Sequence, residues 1–346
     1  MSTRDTQTST GVEMKESSFP VQRSLLSSSA LAKWMSANYD LSSSPTCQFW
    51  RRGINDLYLV KGGGTKLVLR VSPAGWRSYK HLAAEIDLLN FLHQNHISVP
   101  QPIRQKDGTY IQTLNAPEGA RYAVVFAFVP GAPHSPTKAH GYRFGQAIAQ
   151  LHAVTDGYPA DCAGFRFELP EMVDESLARL RPLFAGHEDD FEYLLEISTS
   201  LKRAAGRLPC QAPEYGICHG DVNDGNFHVG KDNEWVLLDF EYFGYGWRVF
   251  DIATFFNNQI HQLGKAERSK SVLEAFLEGY QSVRALSQTE LEVLPSFVVL
   301  RQIWLLGIGA KNQPNMGLSL FESWVFDQCV PFIRAWMGES FWDGAA

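Results

Sequence analysis

The 346-residue sequence is poor in cysteine and pairs none of it by spacing: Cys47, Cys162, Cys210, Cys218 and Cys329 are scattered, odd in number and free of any C-x-x-C. Neither a disulfide framework nor a zinc site is implied, and a reducing cytoplasm suits such a chain. A basic surplus is missing too, since 31 Lys and Arg stand against 37 Asp and Glu for a formal net charge of −6. Without clustered positive charge, nucleic acid and anionic membrane surfaces are excluded as partners. No apolar run approaches the ~20 residues needed to cross a bilayer. The opening MSTRDTQTSTGVEMKESS lacks the apolar stretch of a secretory signal or anchor and reads as a floppy tail. Internal repeats and low-complexity segments are absent from the body. What is present is 45% hydrophobic residues, enough for one large core or two modest ones.

After the tail, apolar spacing predicts a short helix over Ser27 to Asn38 and a loop over Ser42 to Pro45. CQFWRR, DLYLVK and KLVLRV then form three β-rich runs broken by GIN and GGGT, an antiparallel meander with a tight second turn. Leu82, Ile86, Leu89 and Leu92 recur at helical steps between Ser78 and Asn95, on a helix that also carries Glu85. Strands are expected over Thr109 to Leu114 and Tyr122 to Val129, the latter stopped by Pro130-Gly131. Helices follow over Gly141 to His152, Pro170 to Leu183, Asp189 to Arg207, and from Lys265 to Met337, with short strands around Phe227 to Val229 and Trp235 to Phe240. The expected division is a tail and short helix over 1–45, a first lobe over 46–130 and a mostly helical second lobe over 131–346.

The chemistry concentrates in His219-Gly220-Asp221-Val222-Asn223-Asp224-Gly225-Asn226, followed by Leu237-Leu238-Asp239-Phe240-Glu241. Taken singly, Asp, Asn and Gly are what turns are made of. Together they suit metal-assisted phosphoryl transfer, in which one carboxylate orients and deprotonates a hydroxyl while other oxygens hold magnesium on nucleotide phosphates. Asp221 fits the first role, Asn226 and Asp239 the second. The order matches the H-R-D-x-x-x-x-N and D-F-G pattern of protein kinases, with Gly220 in place of the Arg and Glu241 in place of the last Gly.

The His-Gly-Asp form resembles the aminoglycoside phosphotransferase and choline kinase superfamily. The GYGWRVFDIA that follows looks most like its branch of type II homoserine kinases and a bacterial stress-response kinase. The resemblance implies an α+β, protein-kinase-like two-lobed fold: a small antiparallel sheet with one helix, and a larger helical lobe holding the catalytic and metal loops. It implies that His219 braces the catalytic loop and that Asp251 accepts hydrogen bonds from that loop's amides, holding Asp221 in place. It further implies that Arg70 grips nucleotide phosphates and pairs with Glu85, Arg standing where Lys is usual. Alternatively, Arg70 caps a surface strand and Glu85 faces solvent. The turn holding Asn55 occupies the phosphate-covering position with a single glycine, and Gly62-Gly63-Gly64 reads as a hairpin because no helix or Lys-Ser/Thr follows. Backbone groups of Phe126 to Phe128 would read the adenine edge.

ATP is the expected donor, with GTP equally compatible, and the acceptor is a small-molecule hydroxyl such as that of an amino alcohol, aminoglycoside or homoserine-like compound. Its pocket would draw on the last helices, with Trp304, Lys311, Asn312, Asn315, Glu322 and Trp324, where acids would suit an amine-bearing acceptor. A serine/threonine protein kinase of the stress-response type is the alternative, and a nucleotide-binding pseudokinase a third reading that the presence of Asp221, Asn226 and Asp239 opposes. The sequence carries no signal of oligomeric state.

Overall fold

The computed structural model describes residues 19–131, 136–159, 164–229, 234–263 and 267–338. Strands β1 (Thr46–Arg52), β2 (Asp56–Gly62) and β3 (Thr65–Val71) form the antiparallel meander. Gly63 and Gly64, with φ of 58° and 81°, make the two-residue turn between β2 and β3, a left-handed pair that suits a tight hairpin. Strands β4 (Ile111–Ala116) and β5 (Gly119–Ala127) complete a five-stranded sheet in the order β1-β2-β3-β5-β4.

Strand alternation divides the two faces of this sheet. Leu67, Leu69, Val71, Ala123 and Val125 pack with Leu31 and Met35 of helix α1 (Ser28–Asn38), forming a core of their own. Val124 and Phe126 turn the other way, into the main core with helix α2 (Tyr79–Gln94). Ser78 caps α2 by accepting from the His81 amide, satisfying one orphan donor of the first turn. Leu82, Ile86, Leu89 and Leu92 are all buried on α2, and so is Glu85, at 3% exposure. Arg70, on β3, meets it from the sheet.

The helical body begins with α3 (Lys138–Val154), continues through β6 (Phe165–Arg166), and then passes a π-turn at Pro170–Glu175 into α4 (Ser176–Leu180) and on to α5 (Glu188–Ala205). Next come β7 (Tyr215–Cys218), β8 (Phe227–Val229), β9 (Trp235–Leu237) and β10 (Gly244–Trp247). β10 pairs antiparallel with β7 and parallel with β6, and β8 pairs antiparallel with β9. Helices α6 (Val249–Leu263), α7 (Glu267–Gln281), α8 (Gln288–Met316), α9 (Leu318–Glu322) and α10 (Val330–Gly338) follow, a π-turn at Ser323–Cys329 joining the last two. α3 and α7 touch through glycine: a Cβ on Gly145 would stand 2.0 Å from the Phe276 carbonyl oxygen, and one on Gly279 would stand 1.9 Å from that of Tyr142.

Three sequence expectations are corrected. The strand expected through Phe240 stops at Leu237, because Asp239 takes a left-handed φ of 59°. The terminal helices begin well before Lys265, itself outside the described residues, since α6 starts at Val249 directly behind the loop motif. Finally, α8 is long and apolar enough by length and composition to cross a membrane, contrary to the expectation of no such run. Its most apolar 18-residue stretch is 72% buried inside the protein, so core packing accounts for its composition.

Candidate active site

Strand β7 ends at Cys218 and delivers the chain into the loop His219–Asn226. Gly220 turns it with φ of 80°, and a Cβ there would lie 2.1 Å from the Tyr242 carbonyl oxygen. Only glycine fits that approach. The fully buried Asp251, on α6, accepts the His219 amide at 2.7 Å and the Gly220 amide at 2.8 Å. It is in turn fed by a relay. Arg284 Nη1 donates to Tyr280 Oη at 2.9 Å, Tyr280 Oη lies 2.7 Å from His152 Nδ1, and His152 Nε2 lies 2.9 Å from Asp251 Oδ2.

Burial pushes the His152 imidazole down to about 4 despite the neighbouring carboxylate. The ring is therefore neutral, donating from Nε2 to Asp251 and accepting from Tyr280 at Nδ1. Burial works to raise the Asp251 carboxyl, but the hydrogen bonds from His152 and the loop amide of Gly220 hold it below the usual carboxylate range. His219 ties two loops together: Nε2 donates to the Leu238 carbonyl at 2.9 Å, and Nδ1 accepts the Asp221 amide at 3.3 Å.

The Asp221 carboxylate is gripped at both oxygens. Arg301 Nη2 donates to Oδ1 at 2.9 Å, and Asn226 Nδ2 donates to Oδ2 at 2.9 Å. The Asp221 side chain keeps 23% exposure and lines a cleft of about 650 Å³ together with Asn226 and Asp239. Asp239 is exposed, its left-handed backbone turning it out of the strand direction.

Across the cleft, Arg70 and Glu85 form a two-pronged ion pair, Nη1 to Oε1 at 2.8 Å and Nη2 to Oε2 at 2.5 Å. Burial disfavours the Arg70 charge, yet Glu85 raises its affinity for the proton overall. The guanidinium also lies 4.9 Å from the Phe126 ring centroid. Asn55 is buried, and its Nδ2 donates to Glu241 Oε2 at 2.6 Å; Trp76 Nε1 takes the other oxygen of Glu241 at 2.8 Å. Glu241 thus fastens the turn after β1 to the loop after β9. Burial and then the charge of Asp239 push its carboxyl up to about 6.

Phe126 and Phe128 line the cleft, but the expected adenine-reading backbone is partly committed elsewhere. The Ala127 amide donates to the Gln101 carbonyl and the Phe128 amide to that of Lys66, so neither donor is free. The polar residues of the last helices are dispersed. Asn312 and Asn315 bond to each other at the surface, Glu322 is exposed, and Asp327 accepts from Ser323. Trp324 packs on Gly309 and Trp304 is buried. Arg248, one of the largest fully buried side chains, pairs with Asp156 at 2.7 Å.

Sequence reasoning overlooked Arg301, His152, Trp76 and Arg77. Arg301 had a legible signal, a lone charge inside the apolar run FVVLRQIWLL. The others gave none, because long-range contacts alone bring them to the site.

A family model described as phosphotransferase enzyme family matches residues 47–288. An uncharacterized protein of Synechocystis, sll1119, is 32% identical over 296 residues, covering 85% of this chain and 81% of that protein. A homoserine kinase of Azorhizobium caulinodans is 28% identical over 331 residues, covering 89% of this chain and 96% of its own. The solved structure of amicoumacin kinase hAmiN in complex with AMP-PNP, Ca2+ and Ami superposes with a TM-score of 0.71 at 21% identity, over 89% of this chain and 93% of that one. The fold is accordingly protein-kinase-like, an antiparallel sheet joined to a larger helical part. The chain belongs to the phosphotransferase enzyme family.

Proposed function

We propose that the chain transfers the γ-phosphoryl group of ATP, with magnesium, to a hydroxyl of a small molecule, Asp221 orienting that hydroxyl and accepting its proton. One observation carries this reading: a partly exposed carboxylate, held at both oxygens, shares a cleft with Asn226, Asp239 and the Arg70–Glu85 pair. A carboxylate so fixed loses little orientational freedom when a hydroxyl arrives, which is how positioning lowers a barrier.

The donor set fits a hard divalent cation. The amide nitrogen of Asn226 is engaged by Asp221, which leaves its oxygen, and Asp239 adds a carboxylate; oxygen ligands of this kind suit magnesium. When bound, magnesium would supply charge neutralisation for the nucleotide phosphates. Arg70, its fork held by Glu85, directs its charge and remaining N–H groups toward the phosphates. The Asn55–Glu241 contact holds the covering turn over them.

The test is phosphate transfer from γ-labelled ATP with magnesium to amino alcohols, aminoglycosides, homoserine, hydroxy acids, sugars and a generic protein, with Asp221→Ala alongside. Transfer to a small acceptor is expected, and the variant should lose at least about 100-fold in kcat, the lower end of what a general base supplies. Full turnover in Asp221→Ala would remove the base assignment, and labelling of protein alone would favour a protein kinase.

A further inference from the structure

Next to Tyr242, which lines the cleft with Asp221, lies a second concentration of positive charge. Arg77 is only 8% exposed, and its Nε and Nη2 are buried with no hydrogen-bond partner. Its guanidinium lies 4.3 Å from the Phe165 ring centroid, 4.9 Å from that of Tyr242 and 5.2 Å from that of Trp76. Lys311 Nζ lies 4.9 Å from the same Trp76 ring, and among the described residues it makes no ion pair.

Glu241 is the one ion-pair partner of Arg77 among the described residues, and it leaves Nε and Nη2 of Arg77 without a hydrogen bond. Glu241 Oε1 is 3.5 Å from Arg77 Nε, too far for a hydrogen bond, and both its oxygens are occupied by Asn55 and Trp76. Glu171 acts on Lys311 only at a distance. Burial first, then Arg77, depresses both the Lys311 ammonium and the His81 imidazole. Two cations on one indole repel each other, and a buried guanidinium with idle donors costs stability unless something anionic completes it.

The link to the reacting centre is Tyr242. Its ring touches Arg77, it lines the cleft with Asp221, and its buried hydroxyl has no hydrogen-bond partner among the described residues while feeling the charges of Asp221 and Arg301.

Resting on the phosphotransferase reading above, we propose that Arg77 and Lys311, both over the ring of Trp76, bind an oxyanion group carried by the acceptor itself. The acceptor is then a small hydroxyl compound bearing a carboxylate or a phosphate. Acids on the last helices would suit an amine, but Glu322 lies exposed there. Two cations, Arg77 and Lys311, lie over Trp76 instead.

The probes are glycerate for a carboxylate, glycerol 3-phosphate for a phosphate, and glycerol and serinol as neutral and cationic counterparts. Each is titrated calorimetrically into the protein held with AMP-PNP and magnesium, so that the nucleotide cleft is filled. We expect at least one anion to bind about tenfold or more tighter than glycerol, and Arg77→Met and Lys311→Met each to weaken it about tenfold, the scale of one lost charge-assisted bond. Which anion binds decides between carboxylate and phosphate. Equal binding of all four probes, or anion binding indifferent to Lys311→Met, an exposed change that spares the fold, would overturn the proposal. Anion binding without labelled product would instead leave this site standing and remove the phosphotransferase reading on which it rests.

Discussion

Arg301 donates Nη2 to Oδ1 of Asp221 at 2.9 Å, while its own Nε and Nη1 stay buried without hydrogen-bond partners. Its guanidinium is backed by the Trp304 ring at 4.8 Å and the Phe250 ring at 5.8 Å. A cation so enclosed has one polar outlet, the proposed base, and it fixes that carboxylate from the side opposite Asn226. Arg301→Met should therefore lower kcat by about 10- to 100-fold, equivalent to the loss of one charge-assisted hydrogen bond. Nucleotide KM should hardly change, and Arg301→Lys should restore part of the rate. An unchanged kcat in the Met variant would reduce Arg301 to packing.

The Arg70–Glu85 pair predicts an asymmetry. Glu85→Ala leaves a buried guanidinium unpaired and should cost about 3–5 kcal/mol in urea denaturation. Arg70→Met combined with Glu85→Leu removes both charges and should be more stable than Glu85→Ala alone. Both proteins should bind AMP-PNP poorly if Arg70 holds phosphate. Equal stability of the two would show that the pair is effectively solvated.

Stability should fall on mild acidification. His152 is held near 4 in the folded protein against an ordinary value of about 6.5, so between those values the unfolded chain binds a proton that the folded one refuses. The contribution is complete above about pH 6.5 and disappears as pH falls toward 4, a loss of about 2 kcal/mol between pH 7 and pH 5. Asp251, with its lowered carboxyl, acts in the same direction. Denaturation midpoints at the two pH values test this, and His152→Gln should flatten the difference.

Gly145→Ala would drive a methyl group into the Phe276 carbonyl oxygen at 2.0 Å. Separating α3 from α7 should cost about 3 kcal/mol or more, visible as a lowered Tm. A neutral result would mean that the two helices slide freely.

Most of the fold was legible because its signals are local. Alternation in β1 to β3, the glycine turn and the 3.6-residue spacing of Leu82, Ile86, Leu89 and Leu92 each read out over a few residues. The loop motif was legible because spacing along the chain carries it. Glu241 shows where local reading stops: it was seen as a departure from D-F-G, but its bonds to Asn55 and Trp76 span 186 and 165 positions. The engagement of the Ala127 and Phe128 amides was illegible for a related reason, since their acceptors Gln101 and Lys66 belong to distant strands and loops rather than neighbours. Arg77 carried no signal in the sequence, because two of the three aromatic rings around it, Phe165 and Tyr242, come from distant segments.

Helix α8 carries Arg301 at the base and Lys311 about ten residues on, toward Trp76. One rod therefore bears both the residue that sets turnover and a residue that selects the acceptor. A rotation or sliding of that rod, whether by mutation of its buried face or over evolutionary time, would retune speed and choice together, so specificity variants gained by repacking α8 should rarely keep the parental rate.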